Sequence, residues 1–216
     1  MIEIQIQNQT FHLLPERAVF WKDTRTLILT DIHLGKSGHF RKSGIAVPQQ
    51  VNETNLERMG NLVTSFMPER LFILGDLFHS DANREWFRFE EWRNNFDSLD
   101  FHLVAGNHDT LHASFYDSAN VSAHPYYEET GFGFIHDPRK IVSDDSQFIF
   151  CGHVHPGVKL SGDGRQTLHL PCFYQTEQRM ILPAFGEFTG LHMLGINKAV
   201  QLFAIADIKI VTLRNL

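Results

Sequence analysis

Short apolar runs punctuated by polar residues organise this chain. TLILT at 26–30, LFIL at 71–74, FHLV at 101–104, FGFI at 132–135 and FIFC at 148–151 have the length of buried strands, although periodicity alone does not separate such a run from a helix fragment. Two stretches carry helical spacing instead. After Pro48, which suits a first turn, Leu56, Met59, Val63 and Phe66 recur at intervals of three and four until Pro68 stops the pattern, predicting a helix near 49–66. Trp86, Phe89, Trp92 and Phe96 mark one face of a second helix over about 82–97, and an amphipathic helix turns such a stripe towards the core. Strands alternating with helices early, then closely spaced strands from 132 onwards, predict an α/β sandwich with a partly antiparallel second half.

The chemistry lies in the residues just past the strands. Ligand sites of α/β sheets gather beyond the carboxyl ends of strands. Here each of the five runs is succeeded within a few residues by Asp, Asn or His: Asp31 and His33, Asp76, Asn107 and His108, His136, then His153 and His155. One such ending is an ordinary solvated turn. Five would bring a ring of ligands to one edge of the sheet, which packing does not explain.

The residue types fit metal chemistry. In DIHLG, Asp31 and His33 stand two apart and would project to one side of an extended backbone. In GDLFH, Gly75 permits a tight break after the strand, and the two carboxylate oxygens of Asp76 allow it to bridge two ions. GNHD at 106–109 offers Asn107 as an amide-oxygen ligand and leaves His108 as a proton donor, with Asp109 placed to support that imidazole. GHVHP puts His153 and His155 in a turn, whereas His136 alone is as readily a core histidine as a ligand.

In this order, D-x-H, GD, GNHD, a lone His and GH-x-H resemble the signature of the calcineurin-like metallophosphoesterases over about 31–156. The resemblance implies a sandwich of two mixed β-sheets flanked by helices, with a dinuclear metal site at the carboxyl ends of strands. It further implies a first ion held by Asp31, His33, Asp76 and His155, a second held by Asp76, Asn107, His136 and His153, and His108 as the acid for the leaving oxygen. Oxygen and nitrogen donors without thiolate suit Mn, with Fe or Zn as alternatives. Two such ions would activate a bridging water for in-line displacement at phosphorus.

Within that superfamily, TDIHLGKSGHFRKSGIAVP at 30–48 and LPAFGEFTG at 182–190 look like the ligase-associated DNA damage response endonucleases, with Leu191 standing where a second glycine is expected. That resemblance implies a phosphodiesterase acting on DNA or a related phosphodiester, in association with a DNA ligase and a helicase. Lys36, His39, Arg41 and Lys42 form a cationic loop that either contacts a nucleic-acid backbone or is simply solvated, and His79 is either a substrate contact or a surface residue. Hydrolysis of a nucleotide-linked lipid pyrophosphate, which requires an apolar groove, or of a small phosphoester is the alternative activity, and a non-catalytic scaffold is a third reading.

Composition adds bounds. At 216 residues and 43% apolar, one domain spanning 1–216 is expected. The net charge of -6 argues against a non-specific nucleic-acid binder, though bound cations reverse the sign locally. Two cysteines make no disulfide framework, and neither a membrane span nor an export signal is read from the sequence, so a cytoplasmic location is expected.

Overall fold

Strands that are apolar on both faces need cover on both sides, and that requirement sets the layers. The computed structural model describes residues 1–36, 50–78, 84–140, 147–162, 166–187, 189–195 and 200–213. The first sheet runs in spatial order β1 (Ile2–Ile6), β2 (Gln9–Leu14), β3 (Ala18–Trp21), β4 (Thr26–Leu29), β5 (Arg70–Ile73), β6 (Asp100–Val104) and β7 (Val121–His124). Its first four strands pair antiparallel as a meander, and β4 to β7 pair parallel. Helices α1 (Gln50–Phe66), α2 (Arg84–Asn94) and the short α3 (Ala113–Ser118) lie in the connections between the parallel strands.

The second sheet contains β8 (Tyr127–Glu129), β9 (Phe132–Ile135), β10 (Phe148–Cys151), β11 (Pro156–Ser161), β12 (Thr167–Gln175), β13 (Arg179–Ile181), β14 (His192–Met193), β15 (Gln201–Ala206) and β16 (Lys209–Leu213). Here β9, β10 and β13 run parallel, while β12 pairs antiparallel with β11, β13 and β15. Both sheets are mixed, and the chain has the α/β sandwich architecture expected from its sequence.

Alternation along β4 explains its unbroken apolar run. Leu27 and Leu29 join Met59, Leu71, Ile73, Phe89 and Leu103 in a core shared with the helices, whereas Ile28 joins Phe72 and Leu74 in the core between the sheets. That second core is aromatic. Trp21 meets Phe132 edge-on with centroids 5.0 Å apart, and Phe134 stacks on Phe150 at 5.7 Å.

Helix α1 covers the predicted span. Helix α2 is shorter than predicted: it ends at Asn94, where the buried Arg93 donates to the carbonyls of Leu99 and Asn120, and Phe96 follows in a turn. Trp86 and Phe89 of its stripe are buried, while Trp92 and Phe96 are partly buried against the same core and line a surface cleft. Cys151 and Cys172 are both buried and unpaired. Among the described residues, no helix is long and apolar enough to cross a membrane.

Truncating Phe134 to alanine should open a cavity between the sheets and cost about 3–5 kcal/mol. A urea midpoint that falls accordingly, with an unchanged slope, is the expected result; a shift within error would mean the sheets close over the gap.

Candidate metal centre

Five strand ends converge on one edge of the sandwich. β4, β5 and β6 deliver Asp31 and His33, Asp76, and Asn107 to Asp109; β9 and β10 deliver His136, and His153 with His155. The backbone there is unusual. Asp31, His33, Asp76, His153 and His155 all adopt positive φ, between 51° and 67°. Side chains other than glycine visit this region at a cost of about 1–2 kcal/mol, and such residues cluster where geometry serves function. Asp31 and His33 therefore converge through left-handed turns, which corrects the extended backbone expected of D-x-H.

Two clusters result. Asp31, His33 and His155 form one, with Asp31 Oδ1 at 3.1 Å from His155 Nε2 and 3.9 Å from His33 Nε2. Asp76, His136 and His153 form the other, with His136 Nε2 at 3.5 Å from Asp76 Oδ1 and 3.2 Å from His153 Nδ1. Asp76 faces both, since its Oδ2 lies 3.7 Å from His33 Nε2. Asn107 stands beside the second cluster, its amide nitrogen 3.3 Å from His153 Nδ1, and a half-turn of that amide would present the oxygen instead. His108 is exposed at the mouth, its backbone N–H donating to Asp76 Oδ1 at 3.0 Å.

The donor set fits divalent cations. Separations of 3.1 to 3.9 Å resemble those between neighbouring ligands on one ion, where each bond is about 2.0–2.2 Å. Asp31 is fully buried, and its Oδ1 takes no hydrogen bond among the described residues despite its approach to His155. Its Oδ2 accepts from the Thr30 hydroxyl at 2.8 Å and from His153 N–H at 2.9 Å, tying the two sheets together. His136 donates Nδ1–H to the Leu74 carbonyl at 2.8 Å, which fixes the tautomer that leaves Nε2 for an ion.

Electrostatics point the same way. Burial alone would raise the Asp31 and Asp76 carboxyl groups, but the nearby imidazoles of His155 and His136 respectively, with the Thr30 hydroxyl and the His108 N–H, hold both below the ordinary range. Burial would lower His136, yet the Asp76 carboxylate and the charge of Asp31 outweigh it and push the imidazole up to about 9. His33 moves oppositely, burial taking it down to about 3, so it presents a neutral ring with a lone pair to offer. A proton on His136 stands where a cation would balance the carboxylates.

Supporting residues emerge that the motifs do not assign. The spacing of GNHD predicts that Asp109 supports the His108 ring; the hydrogen bonds described for its carboxylate run instead to the backbone N–H groups of Asp76, Leu77, Phe78 and Gly106, at 2.7 to 3.3 Å. It thereby sets the turn that aims Asp76. Phe185 and Gly186, inside LPAFGEFTG, donate to the carbonyls of Thr30 and Asp31, and Arg58 holds the Phe185 carbonyl at 3.0 Å. Asp137, Arg139 and Lys140 line the rim directly after His136; the run DPRK was their only sequence signal. Lys36 lies near enough to feel Asp31 and Asp76, while His39, Arg41, Lys42 and His79 fall outside the described residues.

Residues 24–156 match the family described as Calcineurin-like phosphoesterase. The chain belongs to the calcineurin-like phosphoesterase family. Its metal-dependent members are phosphohydrolases, and this chain is one. The solved structure of nuclease MPE from Pseudomonas putida is 30% identical, covers 98% of this chain and 99% of its own, and superposes with a TM-score of 0.82. Yfce, a phosphoesterase from E. coli, is 15% identical over 86% of this chain and 96% of its own, with a TM-score of 0.47. No curated protein matches this calcineurin-like phosphoesterase in sequence.

Replacing Asp109 with alanine leaves four backbone donors without their acceptor, and an unsatisfied buried donor costs about 1–3 kcal/mol. The Asp109→Ala protein should lose at least about 2 kcal/mol in urea unfolding and bind divalent ions more weakly, as read by calorimetric titration. Wild-type metal affinity in that variant would separate Asp109 from the aiming of Asp76.

Proposed function

We propose that this chain is a two-metal phosphodiesterase that cuts DNA or a related phosphodiester. The observation that carries this reading is its full-length likeness to a nuclease, at 30% identity and a TM-score of 0.82. Asp31, His33, Asp76 and His155 would hold one ion, and Asp76, Asn107, His136 and His153 the other. Oxygen and nitrogen donors support Mn, with Fe or Zn as alternatives. When bound, the ions supply an activated water and neutralise charge on the phosphoryl group.

The chain's own residues do the rest. Asp76, with one oxygen towards each cluster, fixes the spacing of the two halves of the site. Asp109 holds the turn beneath it, and His136 is locked against Leu74 so that its ring cannot swing away. His108, exposed and following Asn107 in the chain, would protonate the departing oxygen. The Lys36 ammonium lies within electrostatic reach of the same carboxylates and would meet an incoming phosphate. Trp86 and Phe89 are buried and take no part in an acyl groove, and the cleft that Trp92 and Phe96 line with Leu56 and Gly60 includes none of the candidate metal ligands, which favours a soluble diester over a lipid-linked substrate. A cytoplasmic setting, supported by two buried free cysteines, and association with a DNA ligase and helicase complete the reading.

Hydrolysis of bis(p-nitrophenyl) phosphate beside p-nitrophenyl phosphate, with Mn²⁺ and with chelator, tests it. Metal-dependent preference for the diester is expected, and preference for the monoester would redirect the reading to a phosphatase. His108→Ala should keep its metals and lose about 100- to 10,000-fold in rate on diesters with poor leaving groups. An undiminished rate there would remove His108 as the acid. Asp76→Ala should lose both ions together in elemental analysis, and retention of two at wild-type affinity would contradict the bridge.

A further inference from the structure

Immediately after the buried His136 the chain turns through a 3-10 helix at Pro138–Lys140. The turn is held from inside. Asp137 is only 3% exposed; its carbonyl accepts from Lys140 N–H and its Oδ1 from Arg139 N–H, each at 3.0 Å. Arg139 lays its guanidinium along the same carboxylate, Nε to Oδ1 at 3.0 Å and Nη2 to Oδ2 at 2.8 Å, and Nη2 also meets His153 Nε2 at 2.8 Å. Lys140 Nζ donates to Asn107 Oδ1 at 3.2 Å.

These placements do little for stability or for metal. The Arg139 side chain is 73% exposed, where an ion pair contributes little. Both cations stand against Asn107 and His153, assigned above to the second ion, where further positive charge opposes loading. Their present partners are also those that loading claims. His153 turns Nδ1 towards His136, so an ion on Nδ1 leaves the imidazole proton on Nε2, which becomes a donor and looks to Asp137 Oδ2, now 4.0 Å away, instead of Arg139. An Asn107 that gives its oxygen to an ion likewise withdraws it from Lys140. The rim then holds a guanidinium and an ammonium with Asp137 between them, a surplus of positive charge that an anion would answer.

We propose that Arg139 and Lys140 clamp a backbone phosphate next to the scissile one, so that this site selects a polymeric phosphodiester over a small one. The proposal rests on the phosphodiesterase reading above. An imidazole ring separates Arg139 from the ion-facing nitrogen of His153, which sets the guanidinium one step outward from the phosphoryl group under attack. Its planar fork suits two phosphate oxygens, with Lys140 adding a point charge. The clamp gives a chain of net charge -6 a local site for a polyanion.

The test compares wild type, Arg139→Lys and the Arg139→Ala/Lys140→Ala double variant on a fluorescein-labelled single-stranded oligonucleotide and on bis(p-nitrophenyl) phosphate. Anisotropy of the Mn²⁺-loaded proteins, each also carrying His108→Ala to slow turnover, reads binding in the state that frees the clamp. The double variant should bind the oligonucleotide about tenfold more weakly, the loss expected for hydrogen bonds to a charged group. Its slope of log affinity against log salt should be shallower by about 0.7 for each phosphate that is no longer neutralised. With Mn²⁺, the oligonucleotide KM should rise while kcat holds, so the ratio of kcat/KM between polymer and small diester falls by about tenfold. Arg139→Lys should recover part of the loss, and metal content should match wild type in all three. Equal losses on both substrates, an unchanged salt slope or a missing ion would overturn the clamp. A wild type that hydrolyses the small diester but does not bind the oligonucleotide would overturn the clamp alone. Binding with the expected salt slope but no turnover of any ester would sink the catalytic reading and leave the clamp supported.

Discussion

Two carboxylates, Asp31 and Asp76, sit almost wholly out of solvent where the strand ends of both sheets meet, and the surrounding structure is organised around their charge. A buried carboxylate is tolerated only when it is paired and hydrogen-bonded. The protein answers part of that demand with the Thr30 hydroxyl, the backbone N–H groups of His153 and His108, and a ring of imidazoles. It leaves Asp31 Oδ1 without a hydrogen bond among the described residues. The chain thus gathers a concentration of negative charge that its imidazoles offset only in part and that divalent ions would complete.

Gathering it requires strained turns. Five candidate ligands hold left-handed backbone, and a scaffold with no ligand role keeps them there. Asp109 threads four amides, Phe185 and Gly186 pin the carbonyls of Thr30 and Asp31, and Arg58 braces that loop from α1. The absence of a side chain at Gly75 belongs to the same device, because a Cβ there would run into the His136 ring. Left-handed turns let side chains two residues apart, such as His153 and His155, turn to different clusters.

Much of this was legible in the residues. FGFI and FIFC are the strands Phe132–Ile135 and Phe148–Cys151, because a strand buried on both faces reads as a continuous apolar run. The ligand-bearing residues beyond them are brought together as the order of motifs implied. The N-terminal meander was harder to read. In IEIQI only alternate residues turn inward at a sheet edge, and the partner that completes their burial lies outside the strand. The role of Asp109 was hidden for a similar reason: a carboxylate bonded to distant backbone amides leaves no trace in residue spacing. Arg139 and Lys140 had a signal, two cations three and four residues after a candidate ligand histidine, but their direction depends on the turn set by Asp137.

Each cluster draws on both halves of the sandwich: Asp31 and His33 from the first sheet with His155 from the second, and Asp76 from the first with His136 and His153 from the second. An ion bound at either place is therefore also a rivet between the layers. A ligand present at a hundred times its dissociation constant adds about 2.7 kcal/mol to folding, comparable to a large aromatic contact in the core. Metal supply would then govern the lifetime of the molecule as well as its turnover. In a cell starved of the ion, the unriveted chains would be the first to open and the first to reach a protease, so the population that persists would be enriched in copies ready to work.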